Sequence, residues 1–292
     1  MTDKLSPVSG RRAVLRVLSA SLGAAALPGW AQGTGAPRLI TISGAITEVV
    51  YALGADAQLV GTDTTSLYPP AALRTPKVGY MRQLSAEGLL SLRPDAVIAT
   101  TESGPPVVLD QIRSAGVRLE LIEADHSWGE VQRKVRAVGR ASAREAQARD
   151  LQARLDAEWA GVQKRVAAVT SRRPRVLFVL SHSASPQVSG EKTAAHAVIG
   201  FAGGVNCLSG FQGYRPMTAE AMASASPDVI LTSTQSIEAH GGVDKFWQRP
   251  ELALTPAYRK RALITQDALL LLGFGPRLPA AIGELHTQLL AA

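Results

Sequence analysis

Tyr80 and Arg82 are a pair of residues whose types and spacing could bind an iron-containing ligand. They lie in a loop between Pro76 and Ser85, and side chains two positions apart in an extended segment point to the same side. A phenolate oxygen is a hard donor that suits ferric iron, although free tyrosine ionises only near pH 10. A nearby cation favours the ionised form, and Arg82 could supply it. The alternative is a partly buried tyrosine whose hydroxyl is bonded to the backbone.

His182 follows the predicted strand 175–180, and this places it at the strand end where α/β folds bind ligands. The alternative is a solvated loop histidine. The other histidines form no His-x-x-x-His or His-x-His motif, so a zinc site is not expected. Two of them fall in loops that could line a cleft and two in predicted helices: His126, His240, His196 and His286.

Motifs of catalysis and nucleotide binding are absent from the sequence. The glycine pairs at 203–204 and 241–242 match neither phosphate-binding pattern, and there is no Gly-x-Ser-x-Gly elbow or paired-carboxylate motif. A secreted α/β hydrolase or a metal-dependent enzyme is therefore a weaker alternative. We expect a binding protein that is not an enzyme.

Short β-branched apolar runs alternate with helical patterns along the chain. Strands are expected at 38–42, 59–62, 95–99, 119–122, 175–180, 228–232 and 263–265. Alternation at this spacing predicts parallel sheets covered by helices on both faces. The fold class is α/β, with two Rossmann-like lobes joined by a long interdomain helix.

An internal repeat sets the layout of the lobes. Residues 84–98 and 217–231 align without a gap, and Glu87 and Glu220 occupy the same place, offset by 133. Each copy opens with a Ser or Thr helix cap, ends its helix at Pro-Asp and continues into a buried strand. A Gly-Tyr pair precedes each copy, which makes Tyr214 the counterpart of the first tyrosine. We expect an N-terminal lobe at 32–140, a linking helix at 141–171 and a C-terminal lobe at 172–292, with a helix break near 139–142.

Residues 1–31 are expected to be a signal peptide with cleavage near Ala31. Their apolar run, Ala13–Leu27, follows a basic head and is too short to span a bilayer permanently. The twin arginines resemble a Tat signal, and the Sec and Tat routes both stay open. The remaining 261 residues carry 27 basic and 23 acidic side chains, an excess too small to suggest nucleic acid. Cys207 is the only cysteine, so no internal disulfide can form. We expect the exported protein to be a monomer in the periplasm.

The whole arrangement resembles the class III periplasmic binding proteins of ABC importers, which take up vitamin B12, ferric siderophores and haem. The resemblance covers nearly the whole mature chain, from Ile42-Ser43 through the Pro-Asp strands. Residues 77–85 are similar to the haem-binding subgroup's Gly-Tyr-x-Arg-x-Leu-Ser, and residues 271–277 also look like that subgroup. A ferric siderophore or cobalamin is the alternative cargo.

The resemblance implies roles for individual residues. Tyr80 would ligate the iron of ferric haem with Arg82 as its cation, and His182 would be a second ligand on the same haem or on a second one. Further ligand contacts would come from Arg74, Lys77, Arg277 and Tyr214, the first three through the haem propionates. Glu87 and Glu220 would each meet an arginine of the permease dimer, since docking on a two-fold partner needs two-fold placement. The helix dipole alone is also a sufficient reason for an acid at either position.

Overall fold

The computed structural model describes residues 35–170, 172–181 and 186–292, and Ala36–Ala292 form one compact unit. The predicted signal peptide and His182 lie outside the described residues. Within those residues, no helix combines the length and the apolar composition that crossing a bilayer requires.

The N-terminal sheet is fully parallel, as the alternation of elements predicts. Its strand order is β2-β1-β3-β4, and β1 and β3 at its centre are buried along their whole length. The strands are β1 (Leu39–Ile42), β2 (Leu59–Thr62), β3 (Ala96–Thr100) and β4 (Arg118–Ile122). The helices of this lobe are α1 (Gly44–Ala52), α2 (Ala86–Ser91), α3 (Pro106–Ser114) and α4 (Trp128–Ala141). Apolar side chains pack on both faces of the sheet, which gives a three-layer lobe.

The C-terminal sheet has the order β10-β9-β5-β6-β8, with β7 paired to β5. Its strands are β5 (Arg175–Leu180), β6 (Gln187–Ser189), β7 (Val205–Asn206), β8 (Tyr214–Pro216), β9 (Val229–Ser233) and β10 (Leu263–Gln266). Strand β6 is antiparallel to both β5 and β8. The sheet is therefore mixed where a parallel one was expected, because residues 181–186 are too few for a parallel crossover, which takes about a dozen or more. The α/β class with two lobes is confirmed.

Seven helices of the described residues accompany β5–β10. They are α6 (Ala194–Phe201), α7 (Ala219–Ala225), α8 (Thr234–Ala239), α9 (Val243–Trp247), α10 (Pro256–Lys260), α11 (Ala268–Leu272) and α12 (Leu278–Ala291). Short 3-10 helices lie at Asp56–Gln58, Pro70–Arg74 and Pro250–Leu252.

The linking helix α5 (Glu145–Ala167) packs against α4 in a helical hairpin. The chain reverses at residues 142–144, where Ala143 adopts a positive φ of 53°. The two helices approach so closely at Gly139 that an added Cβ would lie 2.5 Å from the Cβ of Ala148. The expected interruption of the long helix therefore lies slightly later in the chain and is a full reversal.

One hydrophobic core runs from the first sheet through α5 to the second sheet. It contains Leu39, Ala96 and Ile98 of the N-terminal sheet, Leu151, Leu155 and Val162 of α5, and Val176, Phe178 and Leu231 of the C-terminal sheet. The two lobes thus share buried apolar contacts as well as a connecting helix.

The repeat predicted from the sequence has the same local structure in both lobes. Ser85 caps α2 and Thr218 caps α7, each through its side-chain oxygen. The carboxylate of Asp95 accepts from the backbone N–H of Arg38, and that of Asp228 accepts from the backbone N–H of Arg175. In each lobe the Pro-Asp turn therefore fastens the new strand to the start of its neighbour.

Candidate functional site

Tyr80 lies in a turn held at the carboxyl edge of the N-terminal sheet. The backbone N–H of Thr64, just after β2, donates to the Gly79 carbonyl oxygen at 2.9 Å, and that of Gly104, just after β3, donates to the Met81 carbonyl oxygen at 2.9 Å. Gly79 has a φ of 104°, which favours glycine. The Tyr80 residue is 38% exposed, so this turn presents a phenol to solvent at the edge where α/β folds bind ligands.

Arg82 joins the Tyr80 phenol to a carboxylate. Its Nη1 donates to the Tyr80 hydroxyl oxygen at 2.7 Å, and its Nη2 donates to Oε2 of Glu102 at 2.9 Å. Burial alone would lower the pKa of the Arg82 guanidinium, but the hydrogen bond to Tyr80 and the charge of Glu102 outweigh it and raise that pKa. A firmly protonated cation therefore faces the phenol oxygen.

Glu102 was missed by sequence reasoning. It follows β3 by two residues, and a single acidic residue after a strand end was the only signal for it. Its Oε1 lies 4.0 Å from Nε2 of His126, a loop histidine whose ring centroid is 5.4 Å from that of Phe274. The phenol, guanidinium, carboxylate and imidazole thus form a row of polar groups that leads from the sheet edge toward the other lobe.

Tyr214 in β8 approaches this row from the C-terminal lobe. Burial raises the pKa of its phenol to about 12, and the charge of Glu102 adds to this, while Arg82 and a hydrogen bond with Thr193 act in the opposite direction. Side chains of both lobes therefore share one electrostatic environment. The structure brings Tyr80, Arg82 and Tyr214 together, three of the residues singled out from the sequence.

Lys77 has a structural role, contrary to the expectation of a ligand contact. Its Nζ donates to Oγ1 of Thr62 at 2.8 Å, to the Ser66 carbonyl at 2.9 Å and to the Ala72 carbonyl at 3.1 Å. An ammonium group has three N–H donors, so none is left for a ligand carboxylate. Arg74, at the end of a 3-10 helix, is exposed and forms no ion pair within the described parts of the chain.

Arg277 is engaged between the lobes. Its Nε and Nη2 donate to the two carboxylate oxygens of Glu48 at 2.7 and 2.6 Å, and its Cζ lies 3.7 Å from the ring centroid of Tyr68. Glu48 in α1 is only 4% exposed. In this bidentate pair the guanidinium binds Glu48 of the other lobe. The expected contact to a ligand carboxylate would therefore have to replace the contact with Glu48.

A second polar contact joins the lobes at Lys134. Its Nζ is 2.6 Å from Oε1 of Glu130 and donates to the carbonyl oxygens of Gly273 and Phe274 at 2.9 and 3.1 Å. Burial lowers the pKa of the ammonium group, and the Glu130 charge opposes this. Residues 271–277, which resemble the haem-binding subgroup, therefore contribute to the joint between the lobes.

Glu87 and Glu220 lie in the first turns of α2 and α7. Both side chains are exposed, and neither forms an ion pair with any residue that the structure describes. The two carboxylates are available to a partner.

The other histidines have internal partners or lie away from the row. His240 accepts from Nε of Arg249 at 2.8 Å, and Nδ1 of the buried His286 lies 2.9 Å from the Ala202 carbonyl oxygen. His196 on α6 faces Asn206. Across residues 35–170, 172–181 and 186–292, no group of three or more His, Cys, Asp or Glu could hold a metal ion.

A cavity of about 900 Å³ opens between α9, α10 and β10, lined in part by Trp247, Tyr258 and Arg261. Neither Tyr80 nor Tyr214 lines it.

Solved structures of haem-binding periplasmic proteins are similar to this chain. The periplasmic haem-binding protein BhuT in complex with two haems is 45% identical, with a TM-score of 0.83 over 87% of this chain and 98% of that one. The apo form of RhuT from Roseiflexus sp. RS-1, also a periplasmic haem-binding protein, is 39% identical, with a TM-score of 0.82 over the same shares.

Curated relatives are more distant in sequence. The uncharacterized ABC transporter substrate-binding lipoprotein YvrC of Bacillus subtilis is 25% identical over 85% of this chain and 78% of its own length. The vitamin B12-binding protein of Vibrio cholerae is 28% identical over 73% of this chain and 76% of its own. The family described as periplasmic binding protein matches residues 39–269. This match spans both lobes and the linking helix, and the chain belongs to the periplasmic binding protein family.

Proposed function

We propose that the protein is a class III periplasmic binding protein that captures ferric haem and delivers it to an ABC transporter permease. The observation that carries the proposal is the exposed Tyr80 hydroxyl, which accepts a hydrogen bond from Arg82 at 2.7 Å. The similarity to BhuT at 45% identity supports haem as the cargo. The sequence's signal-peptide pattern supports a periplasmic location.

The chemistry of capture follows from the two side chains. Ferric iron is a hard Lewis acid, and tyrosinate is one of the axial ligands that haem proteins use. When the Tyr80 oxygen binds iron, its proton leaves to solvent and the oxygen becomes anionic. The Arg82 guanidinium already donates to that oxygen, so the new negative charge gains a charge-assisted hydrogen bond without rearrangement.

Other contacts to the cargo are part of the proposal. Arg74 is exposed and without an ion pair in the described chain, so its guanidinium is available to a haem propionate. Tyr214 would contact the macrocycle from the C-terminal lobe without ligating the iron. His182 would supply a second ligand, on the same haem or on a second one.

Delivery to the permease would use Glu87 and Glu220. The two carboxylates repeat at the same place in both lobes and have no ion pair within the described residues, as docking on arginines of a two-fold partner requires. The naming of YvrC as an ABC transporter substrate-binding lipoprotein supports an ABC importer as the partner.

A haem titration of the purified mature protein tests the proposal. We expect one or two equivalents of ferric haem to bind, with the absorption spectrum of tyrosinate ligation, and Tyr80→Phe to lose that spectrum. Tyr258→Phe, which removes a hydroxyl from α10 of the C-terminal lobe, is the matched control. An unchanged spectrum in Tyr80→Phe would exclude Tyr80 as the ligand.

Cobalamin is the second candidate cargo, because curated relatives at 24–28% identity are vitamin B12-binding proteins. A cobalamin molecule brings its cobalt already chelated and needs no tyrosinate. Competition between haem and cyanocobalamin decides between them: cobalamin binding with negligible haem binding would favour the second cargo.

A further inference from the structure

We infer that Glu102 is a positioning residue whose carboxylate holds the Arg82 guanidinium against the Tyr80 hydroxyl. The carboxylate also partly neutralises the positive charge of Arg82, and this limits how strongly that charge stabilises the phenolate when Tyr80 binds ferric iron. The inference deepens the proposed function and rests on it for the part that concerns iron. The part that concerns Arg82 applies to the protein without cargo.

The geometry divides the guanidinium between two acceptors. Nη1 points at the phenol oxygen and Nη2 at the carboxylate, at 2.7 and 2.9 Å. A long arginine side chain that is about half exposed has many rotamers, and a single neutral acceptor does little to select one. The second, charged acceptor on the opposite edge of the planar group fixes its orientation.

Glu102 has a second polar neighbour in addition to Arg82. Its second oxygen faces Nε2 of His126 at 4.0 Å. The His126 backbone N–H donates to the buried Glu130 carboxylate at 2.8 Å, and its ring packs near Phe274. The Glu102 carboxylate therefore lies beside a residue that is anchored in the joint between the lobes.

The charge of Glu102 acts on side chains of both lobes, on Arg82 in its own lobe and on Tyr214 in the other. It raises the pKa of the Tyr214 phenol, whereas Arg82 lowers it, so the carboxylate and the guanidinium offset each other where a cargo would lie. Without the carboxylate, the full positive charge of Arg82 would act on the iron-bound phenolate and weaken its donation of electron density to the iron. That would favour the ferrous form of the iron relative to the ferric form.

Two substitutions separate position from charge. Glu102→Gln keeps an oxygen that can accept from Nη2 but removes the charge, and Glu102→Ala removes both. Glu120→Gln is the matched control, because Glu120 in β4 forms an ion pair with Arg140 elsewhere on the same lobe.

Positioning is tested on the protein without haem by nitrogen-15 NMR of the Arg82 guanidinium. We expect separate Nη signals from restricted rotation in the wild type, and averaged signals in Glu102→Ala. Equal signals in the two proteins would overturn the positioning role. This measurement stands even if the protein binds no haem.

Charge is tested on the haem-loaded protein by the ferric/ferrous midpoint potential. We expect Glu102→Gln to move the ratio of ferric to ferrous affinity about tenfold toward ferrous, a positive shift of about 59 mV for one electron. The Glu120→Gln potential should equal that of the wild type. A Glu102→Gln potential equal to that of the control would overturn the tuning role, whereas absence of haem binding in the wild type would instead refute the proposed function.

Discussion

Arg277 and Glu48 are 229 residues apart in sequence, and their bidentate ion pair joins the start of α12 to α1 of the other lobe. Tyr68 covers the guanidinium with its ring. Together with the bonds from Lys134 to the Gly273 and Phe274 carbonyls, this pair makes the joint between the lobes polar as well as apolar. The joint therefore has a defined geometry.

Arg277→Met should destabilise the protein strongly. The substitution leaves the Glu48 carboxylate buried without its partner, and breaking a buried pair in this way costs about 3 kcal/mol or more. Denaturant unfolding measures the difference. Arg113→Met, which breaks an exposed pair with Asp110, should change the free energy of unfolding by less than about 1 kcal/mol. Equal effects from the two substitutions would contradict a structural role for the joint.

Ligand binding should leave the relative placement of the lobes almost unchanged. The core that runs through α5 and the polar joint both resist bending, since a hinge needs a segment that can absorb large changes in φ and ψ. Small-angle scattering with and without haem should give the same radius of gyration within error. A clear decrease on binding would show that the shared core opens.

Tyr214 should make stability fall in strongly alkaline solution. Its pKa in the folded protein is about 12, above the value near 10 of an unfolded chain, so the folded state binds the phenolic proton more tightly. The contribution of Tyr214 to stability is complete below about pH 10 and is lost as the pH rises toward 12. Unfolding measured across this window in wild type and Tyr214→Phe checks it, and the variant should lose part of the slope.

Cys207 should be unreactive in the native protein. Burial raises the pKa of its thiol to about 12, and the thiolate is the reactive form. A chromogenic disulfide reagent at pH 8 should label native protein very slowly and release one equivalent after unfolding in guanidinium chloride. Rapid labelling of the native state would show that the segment after β7 opens locally.

Glu87→Arg and Glu220→Arg should impair transport without affecting haem capture. Both glutamates are exposed and neither forms an ion pair within the described residues, so the variants should titrate with haem like the wild type. Haem uptake by vesicles that contain the cognate permease should fall at least tenfold in the double variant. Lys substitution at the exposed Glu284 of α12 is the control. Normal uptake by the double variant would exclude these residues as docking points.

The central strands were predictable because a strand that is buried on both faces requires a continuous run of apolar residues. Strands β1, β3, β5 and β9 are short apolar runs that alternate with helical segments along the chain. All four lie within a residue or two of their expected bounds. The caps at Ser85 and Thr218 were predictable for a similar reason, since a helix start has local requirements.

The antiparallel strands β6 and β8 had no such mark. They are three residues each, and β8 contains Arg215 and Pro216, so neither shows a periodic apolar pattern. Strand β8 pairs with β6, from which it is separated by α6 and β7 in the sequence. Only the folded chain reveals that the C-terminal sheet is mixed.

The site was predictable where its residues are close in sequence. Tyr80 and Arg82 are two positions apart, and their contact was expected from an extended segment. In the structure the contact forms across a tight turn, in which the Gln83 N–H donates to the Tyr80 carbonyl oxygen at 2.8 Å. Glu102 comes from another strand end, and the engagement of Lys77 and Arg277 depends on carbonyl and carboxylate partners that the sequence does not mark. Long-range partners decide which charged side chains remain free for a ligand.

The shared core also constrains how a bound molecule can leave. Because the two lobes share buried side chains, we do not expect them to separate when a ligand binds or leaves. A ligand would then enter and leave at the exposed edge where Tyr80 and Arg82 contact solvent. For haem bound as proposed, release would require breaking the contacts at that edge, including the bond to Tyr80, and would not require the shared core to open.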